Sequence, residues 1–266
     1  MIRKNNFLKN DFKSKNIFKV NFDESVKDFG SKDGIISMIF CFYLMIIVCL
    51  FILFVFKAGI YWNSVGSFGF YRFVFYLPIV AIELVPVFII IKIRKQSIKS
   101  IGIKTNKIFK SIFLGIIFSI PFILLPIISA VNQGKKIMDF KSLIWAFLYF
   151  FFEIAFVEEI VFRGFIQTRI QGMIRSKWLS IIVVGIMFAL SHIPVQVISD
   201  SISEGMPLGK FIINSSNIDN LVSLAFNLAD KCAVHIYLVY VYTRDNNIIS
   251  STVTHTLIDL IQVIFI

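Results

Sequence analysis

Cysteine is scarce, with three residues, Cys41, Cys49 and Cys232, in a chain of 266. They stand apart, without a Cys-x-x-Cys or Cys–His spacing, which argues against a disulfide framework or a zinc knuckle. All three fall in apolar runs and read as small packing residues. No internal repeat, low-complexity linker or soluble domain breaks the chain after residue 34. Acidic residues are also few, 16 against 27 basic ones. The N-terminus does not read as a signal peptide, because residues 1–34 are polar and lysine-rich and the apolar run after them is too long for an h-region.

What the chain has in quantity is apolar length: 57% of residues are hydrophobic, 16% aromatic, and 31 are phenylalanine. A soluble domain holds about 45–50% apolar residues interleaved with polar ones, whereas here they come in blocks. The blocks at 35–56, 72–93, 108–131, 142–166, 178–198, 218–242 and 248–266 each approach the ~20 residues that cross a ~30 Å hydrocarbon core. The fold class is therefore all-α, a polytopic transmembrane bundle of about seven spans, within a range of six to eight. The 218–242 block is the weakest, being interrupted by Asn227, Asp230, Lys231 and His235.

The net charge of +11 fits membrane orientation rather than a nucleic-acid partner. The 1–34 tail and the 92–110 stretch carry most of the lysines, while 57–71 has only Lys57. Placing basic segments inside puts the N-terminus in the cytoplasm, with 92–110, 167–177 and 243–247 on the same side. The lysines of 132–141 run against that scheme. The tail would be drawn to anionic lipid. The lysine-, isoleucine- and phenylalanine-rich composition points to a bacterial plasma membrane protein.

Polarity divides the spans into a scaffold at 35–141 and a working half at 142–266. The first three are nearly charge-free inside, apart from Glu83 between Pro78 and Pro86, a residue that lines a groove or pairs locally. From 142 onward Glu153, Glu158, Glu159, Arg163, His192, Asn227, Asp230, His235, His255 and Asp259 recur. Ionisable groups at membrane depth cost a few kcal/mol each and are retained mostly for function. Glu159 and Arg163, at i and i+4, share a helix face in the favourable order and neutralise each other. Glu158 lies about 100° around the helix and has no local partner, which leaves it for acid–base work.

His192 precedes Pro194 by two residues, so the helix is expected to end or bend just past it. His255 and Asp259 are again i, i+4, so Asp259 can fix the tautomer of His255 or present its own oxygen. His235 matches no spacing and reads as structural. Glu158, His192 and His255 together would form a two-histidine, one-carboxylate set, able to hold zinc with one open position or a water without metal. At ~1.5 Å per residue, Glu158 lies roughly 12 Å, His255 roughly 10 Å and His192 about 21 Å from the assumed cytoplasmic ends, so His192 is out of step.

The segments Glu158-Glu159-x-x-x-Arg163, Phe188-x-x-x-His192 and His255-x-x-x-Asp259, in that order on three apolar segments, resemble the CPBP family. These are the CAAX prenyl endopeptidase and bacteriocin-processing (Abi) intramembrane proteases. The resemblance covers about 158–259. It implies that Glu158 activates the attacking water, that His192 helps hold it or a metal, and that His255 and Asp259 bind metal or steady the oxyanion. Glu159, Arg163 and Phe188 would support them. It allows either a zinc ion on Glu158, His192 and His255 or a metal-independent glutamate mechanism. Many members have Asn where Asp259 stands, and a carboxylate cannot donate to an oxyanion unless protonated.

Rival protease chemistries lack their motifs: there is no His-Glu-x-x-His, no Gly-x-Ser-Gly and no Gly-x-Gly-Asp. The expected activity is endopeptidase cleavage of a membrane-associated or lipidated peptide or protein, with membrane lipids and that substrate as partners. The alternatives are a non-catalytic bacteriocin-immunity or scaffold protein, and a small transporter, the latter resting on Asn227, Asp230 and Lys231.

Overall fold

A computed structural model describes residues 20–57, 68–203, 205 and 218–265. Seven helices run in sequence: α1 (Ser31–Lys57), α2 (Phe70–Ile93), α3 (Ile108–Asn132), α4 (Phe140–Ile174), α5 (Lys177–Ser203), α6 (Ile218–Tyr242) and α7 (Ile248–Leu260). The first six are long and apolar enough to cross a membrane, and among the described residues no strand forms beyond one isolated bridge, Ile137 with Phe265. The protein is an integral membrane protein built as a polytopic helical bundle. The expected seventh span, 248–266, is instead a 13-residue helix. Its N-terminus is buried within the bundle, where Asn247 caps it and the Ile248 amide donates to the Gly102 carbonyl at 2.9 Å. The 1–34 tail lies outside the described residues up to Lys19.

α4 is the axis, packed against α1, α2, α5, α6 and α7. Every residue from 159 to 172 is buried, as expected of a helix surrounded on all sides. Its expected end at 166 is overturned: α4 continues through Gln167, Thr168, Arg169 and Gln171, all buried. Such polar residues read as loop, but here Thr168 Oγ1 bonds the Gly164 carbonyl of α4 itself at 2.6 Å and the others find partners on other segments. Gln167 Nε2 donates to Ser180 Oγ at 3.1 Å, and Ser180 Oγ donates to Gln171 Oε1 at 2.5 Å. Arg169 donates to Gln96 Oε1 at 2.7 Å and Ser100 Oγ at 2.8 Å, with its guanidinium over the Phe29 ring.

Two glycines permit this density. A Cβ on Gly164 would run into the Ile101 carbonyl, which presses on α4 from the 98–101 turn. A Cβ on Gly115 would sit 2.6 Å from Val253 Cβ, where α3 meets α7, and Thr254 Oγ1 donates to the Gly115 carbonyl at 3.0 Å. Small residues at an interhelical contact let membrane helices approach this closely. The Ser and Thr residues of α7 (250, 251, 252, 254, 256) are all buried.

Residues 20–30 fold back over the basic end of the bundle. Lys104 Nζ lies 2.7 Å from Asp23 Oδ2, and the Asn246 amide donates to the Asn21 carbonyl at 3.2 Å. The bond from Lys104 holds the Asp23 carboxyl down from 3.8 to about 2. A carboxyl depressed in the folded state stabilises above its free value and loses that contribution as pH falls through the folded one. Protection of the 20–30 amides against hydrogen exchange, relative to the unfolded chain at the same pH, is therefore expected to be high above pH 4 and to fall as pH approaches about 2. Lys104→Met should lower that protection at neutral pH; equal protection in the variant contradicts this docking.

Candidate active site

The backbone of α4 widens to π-helix twice, at Tyr149–Ala155 and Glu159–Ile166, with a single α-turn, Phe156–Glu158, between them. π-Bulges occur often at functional sites because they re-aim side chains that α-periodicity would stack. Glu158 closes the α-turn and Glu159 opens the second π stretch, so the two adjacent carboxylates diverge at a change of helix type.

Glu159 turns inward. Its Oε1 lies 3.0 Å from Arg163 Nη1 and 3.0 Å from His255 Nδ1, and the Glu159 and Arg163 side chains are fully buried. The Arg163 contact is ionic rather than a well-aligned hydrogen bond, since Nε, Nη1 and Nη2 of Arg163 and Oε2 of Glu159 have no hydrogen-bond partner. The guanidinium instead stands over the Phe188 ring, 4.5 Å from its centroid. Phe188 also packs edge-on against Phe162 and His192 and tilted against His235. Its carbonyl accepts the Nδ1–H of His192 at 2.7 Å.

Glu158 faces the more open side, with its side chain 25% accessible, beside His192 at 29% and Asp259 at 28%. Its Oε1 is 4.0 Å from His192 Nε2 and its Oε2 is 3.9 Å from His255 Nε2. Asp259 Oδ2 stands 3.4 Å from His255 Nε2. The tautomers follow from the partners. Each Nδ1 faces an acceptor, the Phe188 carbonyl or the Glu159 carboxylate, and so carries the proton. In the neutral rings both Nε2 atoms then present lone pairs toward Glu158. Separations near 4 Å are too long for direct hydrogen bonds and suit a bridging water.

The site thus brings together all seven residues expected from sequence: Glu158, Glu159, Arg163, Phe188, His192, His255 and Asp259. Two expectations are refined. Of the two outcomes expected past His192, an end or a bend, the end does not occur, for α5 continues through Pro194. Proline is tolerated inside membrane helices where neighbouring groups satisfy the backbone, and in the preceding turn Ser191 Oγ and His192 Nδ1 both bond the Phe188 carbonyl. The residue that fixes the Nδ1 proton of His255 is Glu159, not Asp259. Asp259 sits on the Nε2 side because the ring lies between the two carboxylates.

His235 is fully buried, with Nε2 3.1 Å from Gln167 Oε1, which agrees with a structural reading. Glu153 is buried with both carboxylate oxygens lacking a hydrogen-bond partner. The charge of Arg72 acts on it from a distance, the Arg72 guanidinium being stacked on Phe68 and Tyr149.

The donor chemistry suits zinc: two imidazoles whose Nδ1–H groups are tied back, one to a carboxylate and one to a carbonyl, is the supporting pattern of metal-binding histidines. Their spacing is looser than a closed set, because ligands about 2.0–2.2 Å from a tetrahedral zinc lie roughly 3.4 Å apart. Among the described residues no three of His, Cys, Asp or Glu are grouped tightly enough to hold a metal ion.

No curated protein and no solved structure matches the chain. The family model described as Rce1-like, type II CAAX prenyl endopeptidase Rce1-like, matches residues 140–261. That stretch begins at the first turn of α4 and ends just past α7, so it contains every residue of the site. Over residues 140–261 the chain is therefore similar to the Rce1-like group of the CAAX protease family.

Proposed function

We propose that the protein is an intramembrane endopeptidase that hydrolyses a peptide bond of a membrane-associated or lipidated peptide. The observation that carries this reading is the convergence of two imidazole Nε2 atoms on Glu158 across a water-sized gap. In this scheme His192 and His255 hold a water by accepting its hydrogen bonds. Glu158 removes a proton as the oxygen attacks the scissile carbonyl, then returns that proton to the leaving amine, a general base turned general acid. Glu159 holds His255 in the required tautomer, and Arg163 stands 3.0 Å from the same Glu159 oxygen as its buried counter-charge. Asp259 meets the oxyanion only in its protonated form, since a carboxylate accepts and does not donate. If His192, His255 and Glu158 hold zinc, its contribution is to lower the pKa of a bound water toward ~7.

The family's description makes a prenylated peptide the first substrate to test, with the same peptide lacking the lipid as comparison. Purified protein in lipid vesicles is expected to release the C-terminal fragment, detected by mass spectrometry. His192→Ala is expected to cut the rate by roughly 10²-fold or more, as loss of a positioned acid–base partner does. If Glu158→Ala and His192→Ala variants both keep full activity, the reading fails and a non-catalytic role replaces it.

A further inference from the structure

His235 lies fully buried on α6, outside the group that faces Glu158, and its Nε2 is 3.1 Å from Gln167 Oε1 of α4. The neighbouring bond fixes the direction of this one. Gln167 Nε2 donates to Ser180 Oγ at 3.1 Å, so Gln167 Oε1 is the acceptor and His235 carries its proton on Nε2. His235 Nδ1 has no hydrogen-bond partner, which leaves the ring held at one corner. A histidine ring otherwise turns over a broad range about its last side-chain torsion, and the Gln167 bond stops that rotation.

The ring held in this way rests on Phe188 of α5, with centroids 5.6 Å apart and planes tilted by 37°. Gly185, one turn earlier on α5, lets α6 come this close: a Cβ there would meet Cys232 Sγ at 2.8 Å and His235 Cδ2 at 3.5 Å. Phe188 in turn carries the His192 ring edge-on, 4.6 Å between centroids, and its carbonyl accepts the His192 Nδ1–H at 2.7 Å. Gln167, His235, Phe188 and His192 therefore form a chain of direct contacts that runs from α4 through α6 to the site. Dense packing passes a displacement at one member on to the next.

We propose that His235 is a positioning residue: anchored by Gln167, it fixes Phe188 and through it the ring orientation and Nδ1–H tautomer of His192. The effect on turnover rests on the endopeptidase reading, whereas the effect on His192 does not. The test is ring-nitrogen NMR of full-length protein in lipid nanodiscs with isotope-labelled histidine. The chain has three histidines, so each ring is assigned by its own variant. Spectra are recorded in mildly alkaline buffer, where an ordinary imidazole is neutral. Wild type is compared with Gln167→Met, which leaves His235 in place, and with the double variant Gln167→Met, His235→Phe, which keeps a ring on Phe188. Removing both partners of a buried hydrogen bond strands neither, so the double variant is expected to fold like wild type.

Wild type is expected to show His192 as a single Nδ1–H tautomer. Both variants should show it as a mixture of Nδ1–H and Nε2–H forms, with kcat on a lipidated peptide lowered roughly tenfold or more and KM unchanged. A role in stability alone would move the melting temperature and leave the tautomer single. A single Nδ1–H tautomer in the variants overturns the assignment, and so does an unchanged kcat beside an active wild type. Mixed tautomers in the variants of a protein that cleaves no peptide contradict the endopeptidase reading and leave the positioning of His192 in place.

Discussion

Arg163→Met is expected to destabilise the protein by about 3–5 kcal/mol, the usual effect of removing one partner from a buried ion pair. Both side chains are fully buried, so the Glu159 carboxyl would be left without its cation where no water can reach it. The loss is a large share of the ~5–15 kcal/mol that folds a typical domain. It should appear as a sharp fall in folded yield and in melting temperature on size-exclusion analysis. The Phe188 ring would also lose its cation. The double change Glu159→Gln with Arg163→Met should recover most of the loss, because neither charge is then stranded and the glutamine oxygen still accepts from His255 Nδ1. A melting temperature for Arg163→Met equal to wild type contradicts the ion-pair account.

Glu158→Gln is expected to act in the opposite way, leaving the fold intact and lowering turnover by roughly 10²–10⁴-fold, the range for loss of a positioned general base. Glutamine keeps the shape and both hydrogen-bonding positions but takes up no proton. Its neighbours lose little: the nearest ring nitrogens are 3.9 and 4.0 Å away, so no direct hydrogen bond to protein breaks. Part of the side chain is open, so removing the charge relieves a desolvation cost and strands nothing. An unchanged or slightly raised melting temperature should accompany the lost activity.

The spans were legible because membrane helices need long unbroken apolar runs, and six of the seven blocks became helices of that kind. The seven site residues were legible because i, i+4 spacing survives into the bundle for Arg163 with Glu159 and for Asp259 with His255. The depth mismatch came from helix ends. With α4 running to Ile174 and α5 starting at Lys177, Glu158 and His192 both lie roughly 20–25 Å from the basic end at ~1.5 Å per residue. His255 reaches the same level because α7 starts inside the bundle rather than at its edge.

The contact between Glu159 and His255 was not legible. It joins residues far apart in the chain, and the wide π turn that aims Glu159 leaves no mark in an α-helical periodicity.

The asymmetry between two neighbouring carboxylates is what the account stands on, and a paired measurement tests it most directly. Turnover of one membrane-tethered peptide and melting temperature are recorded in parallel for wild type, Glu158→Gln and Glu159→Gln. The account predicts that Glu158→Gln keeps its melting temperature and loses turnover by roughly 10²-fold or more. Glu159→Gln, which leaves Arg163 buried without a counter-charge, should lose melting temperature first. Full turnover in a folded Glu158→Gln protein would contradict the account.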